Sequence, residues 1–312
     1  MKENNTFKTL DFATLFEVHP NSFSPTCRAL MNRYDFSYRR PTSEERVKIV
    51  SEVQQKNDSL TITHSTDAGK TKWETGWREN LQEFISSGFN LNTLLPKFVK
   101  PSAVVRLFED YAIPHDPHFE LYFREVLRYW LAEMFLNYAN PIYEFGCGTA
   151  SNLIALAQQY PEKRLYGLDW VTPPIEIMRL LNIHHGFQIE GQIFNMLTPD
   201  EKIRVESGGG IFMMGAMEQL GEHFQSFLLY LLEQRSIVVQ IDPFIELYDE
   251  KNTFDHPAIQ FEQKRKYLSG YLSHLKYLSR CGTIEILSTK RVRFGSMFHD
   301  GYSFVVWRPR VT

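Results

Sequence analysis

The segment Glu144-Phe145-Gly146-Cys147-Gly148-Thr149-Ala150 joins a short apolar run to a stretch with helical spacing. Paired glycines at such a junction let the backbone turn sharply and let a ligand approach the main chain. The N-terminus of the helix that follows offers unpaired N–H donors. Asp169 closes the next apolar run about twenty residues on, where a carboxylate can take both hydroxyls of a ribose. The alternative role of Asp169 as a helix cap is less apt for a residue followed by Trp170 and then by Pro173-Pro174. Glu144, two residues before the first glycine, is placed to help hold an ammonium group. Cys147 borders the same turn, but no base or acid is specified beside it, so its thiol reads as packing. This set describes a site for a nucleotide-like ligand.

Other chemistry-bearing motifs lead less far. His115-Asp116-Pro117-His118 gathers two imidazoles and a carboxylate, yet Pro117 breaks helical geometry and no further ligand cluster accompanies them, so no metal is expected. Gly69-Lys70-Thr71 matches the end of a phosphate loop, but His64 stands where that loop needs a glycine. Tyr34, Tyr38, Arg39 and Arg40 form a basic-aromatic patch, read as a solvated face.

The elements that must position the glycine turn follow from periodicity. A helix is expected from Thr42 through Val53, a polar connection over Gln54 to Lys72, and a helical stretch carrying Trp73 and Trp77. From His118 to Tyr138 the residues Phe119, Phe123, Val126, Leu127, Trp130, Leu131 and Phe135 recur at three- and four-residue spacing, which marks one buried helix face. Beyond Asn140-Pro141 short apolar strands alternate with helices. The strands are 142–145, 164–169, one within 187–194, 210–214 and 237–241, and the helices are 151–160, 174–182, 222–234 and 258–280. Strands at 283–294 and 302–307 close the chain as a hairpin. The fold class expected is α/β: a doubly wound, mostly parallel sheet with an antiparallel C-terminal strand, preceded by a mainly helical N-terminal extension. The division is 1–140 for the extension, as a lid or substrate-selecting region, and 141–312 for the sheet domain.

The whole-chain properties set limits. With 312 residues, 43% apolar, 23% charged and a net charge of −3, the chain reads as a globular, cytoplasmic protein without pull toward nucleic acid or membrane. Cys27, Cys147 and Cys281 are widely spaced and odd in number, which fits reduced thiols. The polar N-terminus has no apolar core of a secretory signal, and no stretch approaches the length needed to span a bilayer.

Residues 141–312 resemble the class I, Rossmann-like, S-adenosylmethionine-dependent methyltransferases. The resemblance rests on EFGCGTA, on the acidic strand end GLDW, on IFNML, on GGIFMMGAMEQLG and on the closing strand pair. It implies a seven-stranded sheet with the last strand inserted antiparallel, and S-adenosylmethionine as cofactor. Carried over by position, Glu144, Gly146, Cys147 and Gly148 would border the methionine moiety. Asp169 would bind the ribose, with Trp170 against the ribose or adenine. Phe194 and Asn195 would meet the adenine, and Met214 and Gly215 would lie near the sulfonium. Ala150 replaces the family's third glycine, and Asn195 replaces its more usual acid.

The implied activity is methyl transfer to an oxygen or nitrogen of a small or medium-sized metabolite. A hydroxyl acceptor needs a general base within reach. Glu218 and His223 after the fourth strand, and Asp242, Tyr248 and His256 after the fifth, are the candidates, with His256, Glu218 and His223 named first. Competing readings are an NAD(P)-dependent oxidoreductase, disfavoured by Ser151 at its third glycine position, and a catalytically silent module that keeps the fold for binding. A protein or nucleic-acid acceptor is a further variant, and no Asn/Asp-Pro-Pro-Tyr or Phe motif follows the fourth strand.

Overall fold

A computed structural model describes residues 4–60, 67–101 and 103–310. The N-terminal part carries β1 (Asn4–Thr6), α1 (Thr9–Phe16), α2 (Pro25–Arg33), β2 (Ser37–Arg39), α3 (Ser43–Ser59), α4 (Asp67–Ser86), β3 (Val105–Leu107), β4 (Tyr111–Pro114) and α5 (Phe119–Leu131). It is mainly helical, with four short strands in addition. Capping explains where α3 begins: Thr42 accepts the Glu45 N–H while the Glu45 carboxylate takes the Thr42 N–H. The expected polar connection over Gln54 to Lys72 is corrected at both ends, since α3 runs to Ser59 and α4 starts at Asp67. Residues 61–66, including His64 of the rejected phosphate loop, lie outside the described residues.

After α5 strands and helices alternate, save that no α-helix separates β7 from β8: β5 (Ile142–Phe145), α6 (Ser151–Gln159), β6 (Leu165–Asp169), α7 (Thr172–His185), β7 (Ile189–Ile193), β8 (Gly210–Met214), α8 (Gln225–Glu233), β9 (Ile237–Ile241), α9 (His256–Arg265) and α10 (Tyr271–Arg280), with β10 (Ile284–Lys290), β11 (Phe294–Ser296) and β12 (Phe304–Pro309) at the end. The helix expected over 258–280 is two helices. Lys266 and Gly270 both take left-handed conformations between them, and a continuous helix tolerates neither.

Seven strands form one sheet in the order β10-β12-β9-β8-β5-β6-β7. β5 pairs in parallel with both β6 and β8, so the strand order reverses beside it, and ligands bind at such a point. β12 lies antiparallel between β9 and β10. This is the expected α/β sheet with its inserted antiparallel strand.

The second sheet has the order β1-β2-β4-β3-β11, so the C-terminal segment donates a strand to the N-terminal part. Around α5 the two regions share one core. The Phe123 ring stacks on Phe12 at 5.7 Å and on Phe294 at 3.8 Å, while Trp130 stacks on Phe16 at 4.7 Å. Each buried aromatic contributes on the order of 1.5–3 kcal/mol of transfer free energy, which anchors α5, and hence β5, in place. A charged brace reinforces the junction. Arg106 on β3 meets Asp300 at 2.7 Å and Asp255 at 3.3 Å, and Arg291 reaches the same two carboxylates at 2.8 and 2.6 Å.

Candidate functional site

β5 is buried at every position and runs straight into the glycine turn. Gly146 and Gly148 have φ of 71° and 52°, and Ala150 also sits in the left-handed region at 61° before α6 begins. The turn is tied to the neighbouring strand by Gly146 N–H and Cys147 N–H, both donating to Leu168 O, at 2.7 and 3.2 Å. Glycine is needed for space as well as conformation. A Cβ on Gly146 would stand 2.6 Å from Ala216 Cβ, and one on Gly148 would stand 2.9 Å from the Trp77 ring.

Two acids are buried at this turn. Asp169 Oδ2 accepts the Gly148 N–H at 3.0 Å, while Oδ1 has no hydrogen-bond partner. Burial pushes its carboxyl up to about 6, against the pull of the Gly148, Val171 and Trp170 N–H groups. Glu144 Oε1 accepts from Asn152 Nδ2 at 2.7 Å and its Oε2 is likewise unpartnered. Burial drives Glu144 up to about 8, opposed by the Asn152 hydrogen bond and by Arg128 and Arg124. Unpaired buried acceptors are costly, and these two lie at the same turn.

Asp169 opens onto a cavity at the C-terminal edge of the sheet. Gly146, Asp169, Trp170, Phe194, Asn195 and Gly215 all line it. Its other walls are Met196, Leu197, Ala216, Gln219 and Leu220, roofed by Trp73 and Trp77, which stack at 5.3 Å. The Phe194 ring is held by Phe145 and Tyr230 at 4.9 and 5.0 Å. Asn195 Oδ1 accepts the Leu197 N–H at 3.0 Å, so its amide NH2 is the group left for a ligand. The spacing of Trp73 and Trp77 announced one helix face. Their seat over the glycine turn depends on how α4 docks, and no local pattern encodes that.

The remaining expected residues lie elsewhere. Glu144 and Cys147 face the core behind the turn, and burial pushes the Cys147 thiol well up. Gly148 lies under Trp77, and the Met214 sulfur meets Arg124 at 3.6 Å. His223 is exposed, and His256 starts α9 with Nε2 2.7 Å from Glu250 O, so neither ring lines the cavity. The Tyr248 hydroxyl accepts the Asp300 N–H at 2.8 Å beside the charged brace. Glu218 is nearer: its Oε1 accepts from Gln219, a wall residue, at 2.7 Å, and its N–H donates to Asp242 at 3.1 Å. Burial raises both carboxyls. The described residues contain no metal-binding cluster of histidine, cysteine and acids, and no described helix is long and apolar enough to cross a membrane.

No family model matches the chain, and no curated protein matches it. Among solved structures it is similar to the cyclase SpnF, at 13% identity over 60% of this chain and 81% of that one, with a TM-score of 0.46. It is also similar to the pyocyanin biosynthetic protein PhzM, at 14% identity over 62% and 59% of the two chains with a TM-score of 0.44. A SAM-dependent methyltransferase from Aquifex aeolicus matches at 19% identity over 58% and 93%, with a TM-score of 0.39.

Proposed function

We propose that this chain is an enzyme that binds S-adenosylmethionine and transfers its methyl group to an oxygen or nitrogen of a small or medium-sized metabolite. The observation that carries the reading is the free Oδ1 of Asp169, which borders a ring-lined cavity with Gly146 on its floor, at the point where strand order reverses. A ribose presents two hydroxyl donors, which suits a carboxylate with an uncommitted oxygen. Trp170 and Phe194 supply flat apolar walls for a purine, and Asn195 supplies an amide at its edge. The antiparallel β12 and the absence of glycine at Ser151 favour this ligand over NAD(P).

When bound, the cofactor would supply an electrophilic methyl group. The chain's task is then to hold the acceptor in line and to exclude water. Trp73 and Trp77 roof the cavity and fit that second role. Of the candidate bases, Glu218 suits proton uptake best, because burial raises its carboxyl and Gln219 connects it to the cavity wall. His256 and His223 are set aside on position.

Calorimetric titration with S-adenosylmethionine and with NAD tests the proposal. Saturable binding of the former and none of the latter is expected. The reverse pattern would favour an oxidoreductase, and binding without methyl transfer to any component of a metabolite extract would favour a silent module.

A further inference from the structure

Glu262, on α9, is 1% exposed, and its Oε1 stands 3.5 Å from Nδ1 of His299, in the turn between β11 and β12. The Tyr248 hydroxyl, from the segment after β9, also acts on the Glu262 carboxylate. Glu218 follows β8; burial raises it, and His299 is the strongest influence pulling it back. Phe304 at the start of β12 pairs with Ile241 at the end of β9, so all these segments meet at the C-terminal edge of the sheet. Gln219, which donates to Glu218 at 2.7 Å, lines the ring-lined cavity. The cluster therefore adjoins that cavity, on the β8 and β9 side rather than the β6 side that carries Asp169.

The turn bearing His299 is tightly fixed. Asp300 is gripped by Arg106 and Arg291, and its N–H donates to the Tyr248 hydroxyl at 2.8 Å. Gly295 has no room for a side chain, since a Cβ there would run into His299 O and Gly301 N. The imidazole packs on the Phe261 and Tyr267 rings at 4.9 and 5.9 Å. The neighbouring brace holds its acids with arginines. Imidazole, unlike guanidinium, is a cation that can give up its proton, and mere holding does not call for that. Other charges surround the pair. Arg265 acts on Glu218 and donates to the Tyr267 hydroxyl at 3.2 and 3.1 Å, while Asp242 accepts the Glu218 N–H. Glu120 on α5 faces His299, and Asp300 faces Glu262.

We propose that His299 is a positioning residue for proton removal: its imidazolium, held by Glu262, keeps Glu218 as the carboxylate that takes the acceptor's proton. The inference rests on the methyl-transfer reading above and extends it to the acceptor, which arrives as a hydroxyl or an ammonium with a proton to lose. Glu218 takes the proton of the acceptor's O–H or N–H bond, the electron pair so freed closes on the methyl carbon, and the carbon–sulfur pair stays with sulfur. Glu218 then returns the proton to water.

The test follows labelled methyl transfer from S-adenosylmethionine to a metabolite extract between pH 5 and 9, with S-adenosylhomocysteine affinity showing that each variant is folded. His299→Gln removes the cation and so raises Glu218. The acidic limb of the rate should move up by about one pH unit or more, with the affinity within about twofold of the wild type. His299→Lys restores a cation and should return the limb toward its original place. An unmoved limb, or a lysine variant shifted as far as the glutamine one, would overturn the proposal. Loss of transfer at every pH with binding intact would overturn it too, by making His299 itself the base. A second measurement needs no turnover. The coupling is reciprocal, so Glu218→Gln should lower the midpoint of the His299 titration, followed by NMR, by a similar amount. An unchanged midpoint contradicts the pairing whatever the activity. If the unaltered protein transfers no methyl group, the methyl-transfer reading falls and this proposal with it.

Discussion

The pair of buried carboxylates at the brace and the pair at the glycine turn are built in opposite ways. At the brace, Asp255 and Asp300 share Arg106 and Arg291, with contacts between 2.6 and 3.3 Å, and the arginines hold Asp255 below the usual carboxylate range despite its burial. At the glycine turn, Glu144 and Asp169 each keep one oxygen without a partner, and burial drives both carboxyls upward. The first arrangement is complete within the chain, so it ties β3 to the start of α9 and to the segments before and after β11. The second leaves acceptor capacity over that a bound ligand's donors would use. Buried charge by itself does not separate the two; what differs is how much of its hydrogen-bonding capacity the chain uses.

The largest effect is expected at the brace. Arg291→Met leaves the two aspartates with Arg106 alone. Stability should fall by about 3–5 kcal/mol, read from the urea midpoint. A loss below about 1 kcal/mol would class the brace with ordinary surface ion pairs.

The glycine turn should show the opposite sign. Glu144 in the folded chain sits near 8 against an ordinary value of 4.5, so the folded state binds its proton more tightly than the unfolded state. The Glu144 contribution to stability therefore falls as pH rises between those two values and levels off above the higher one. Glu144→Gln keeps an acceptor for Asn152 and removes the titration. Urea midpoints measured from pH 5 to 8 should decline more steeply in the wild type than in the variant. Parallel profiles would mean that Glu144 is charged and satisfied, as the brace acids are.

Much of the fold could be read from the chain because its strands are local signals. Apolar runs such as Ile237–Ile241 are buried at nearly every position, and the turn at Gly146 and Gly148 needs conformations that glycine adopts readily. β1 to β4 escaped because runs of three or four residues are too short to show a period. The pairing of β11 with β3 joins residues far apart in sequence, so nothing local announces it. The break before α10 was signalled only by Gly270.

The site divides along the same line. Asp169, Trp170, Phe194 and Asn195 follow their strands directly and could be located from them. Trp77 reaches the turn only through the docking of α4. The histidines chosen for their chemistry, His223 and His256, stand on the surface. A suitable ionisation range says nothing of position.

If the carboxylate of Asp169 at the glycine turn binds a ribose, Asp169→Asn removes the group responsible. Asparagine keeps an oxygen for the Gly148 N–H and removes only the carboxylate. Calorimetric titration of this variant with S-adenosylhomocysteine should give an affinity lower by about tenfold or more, in a protein whose urea midpoint at pH 7 is equal to or above that of the wild type. Undiminished affinity, or a fall in stability like that expected at the brace, would contradict the account.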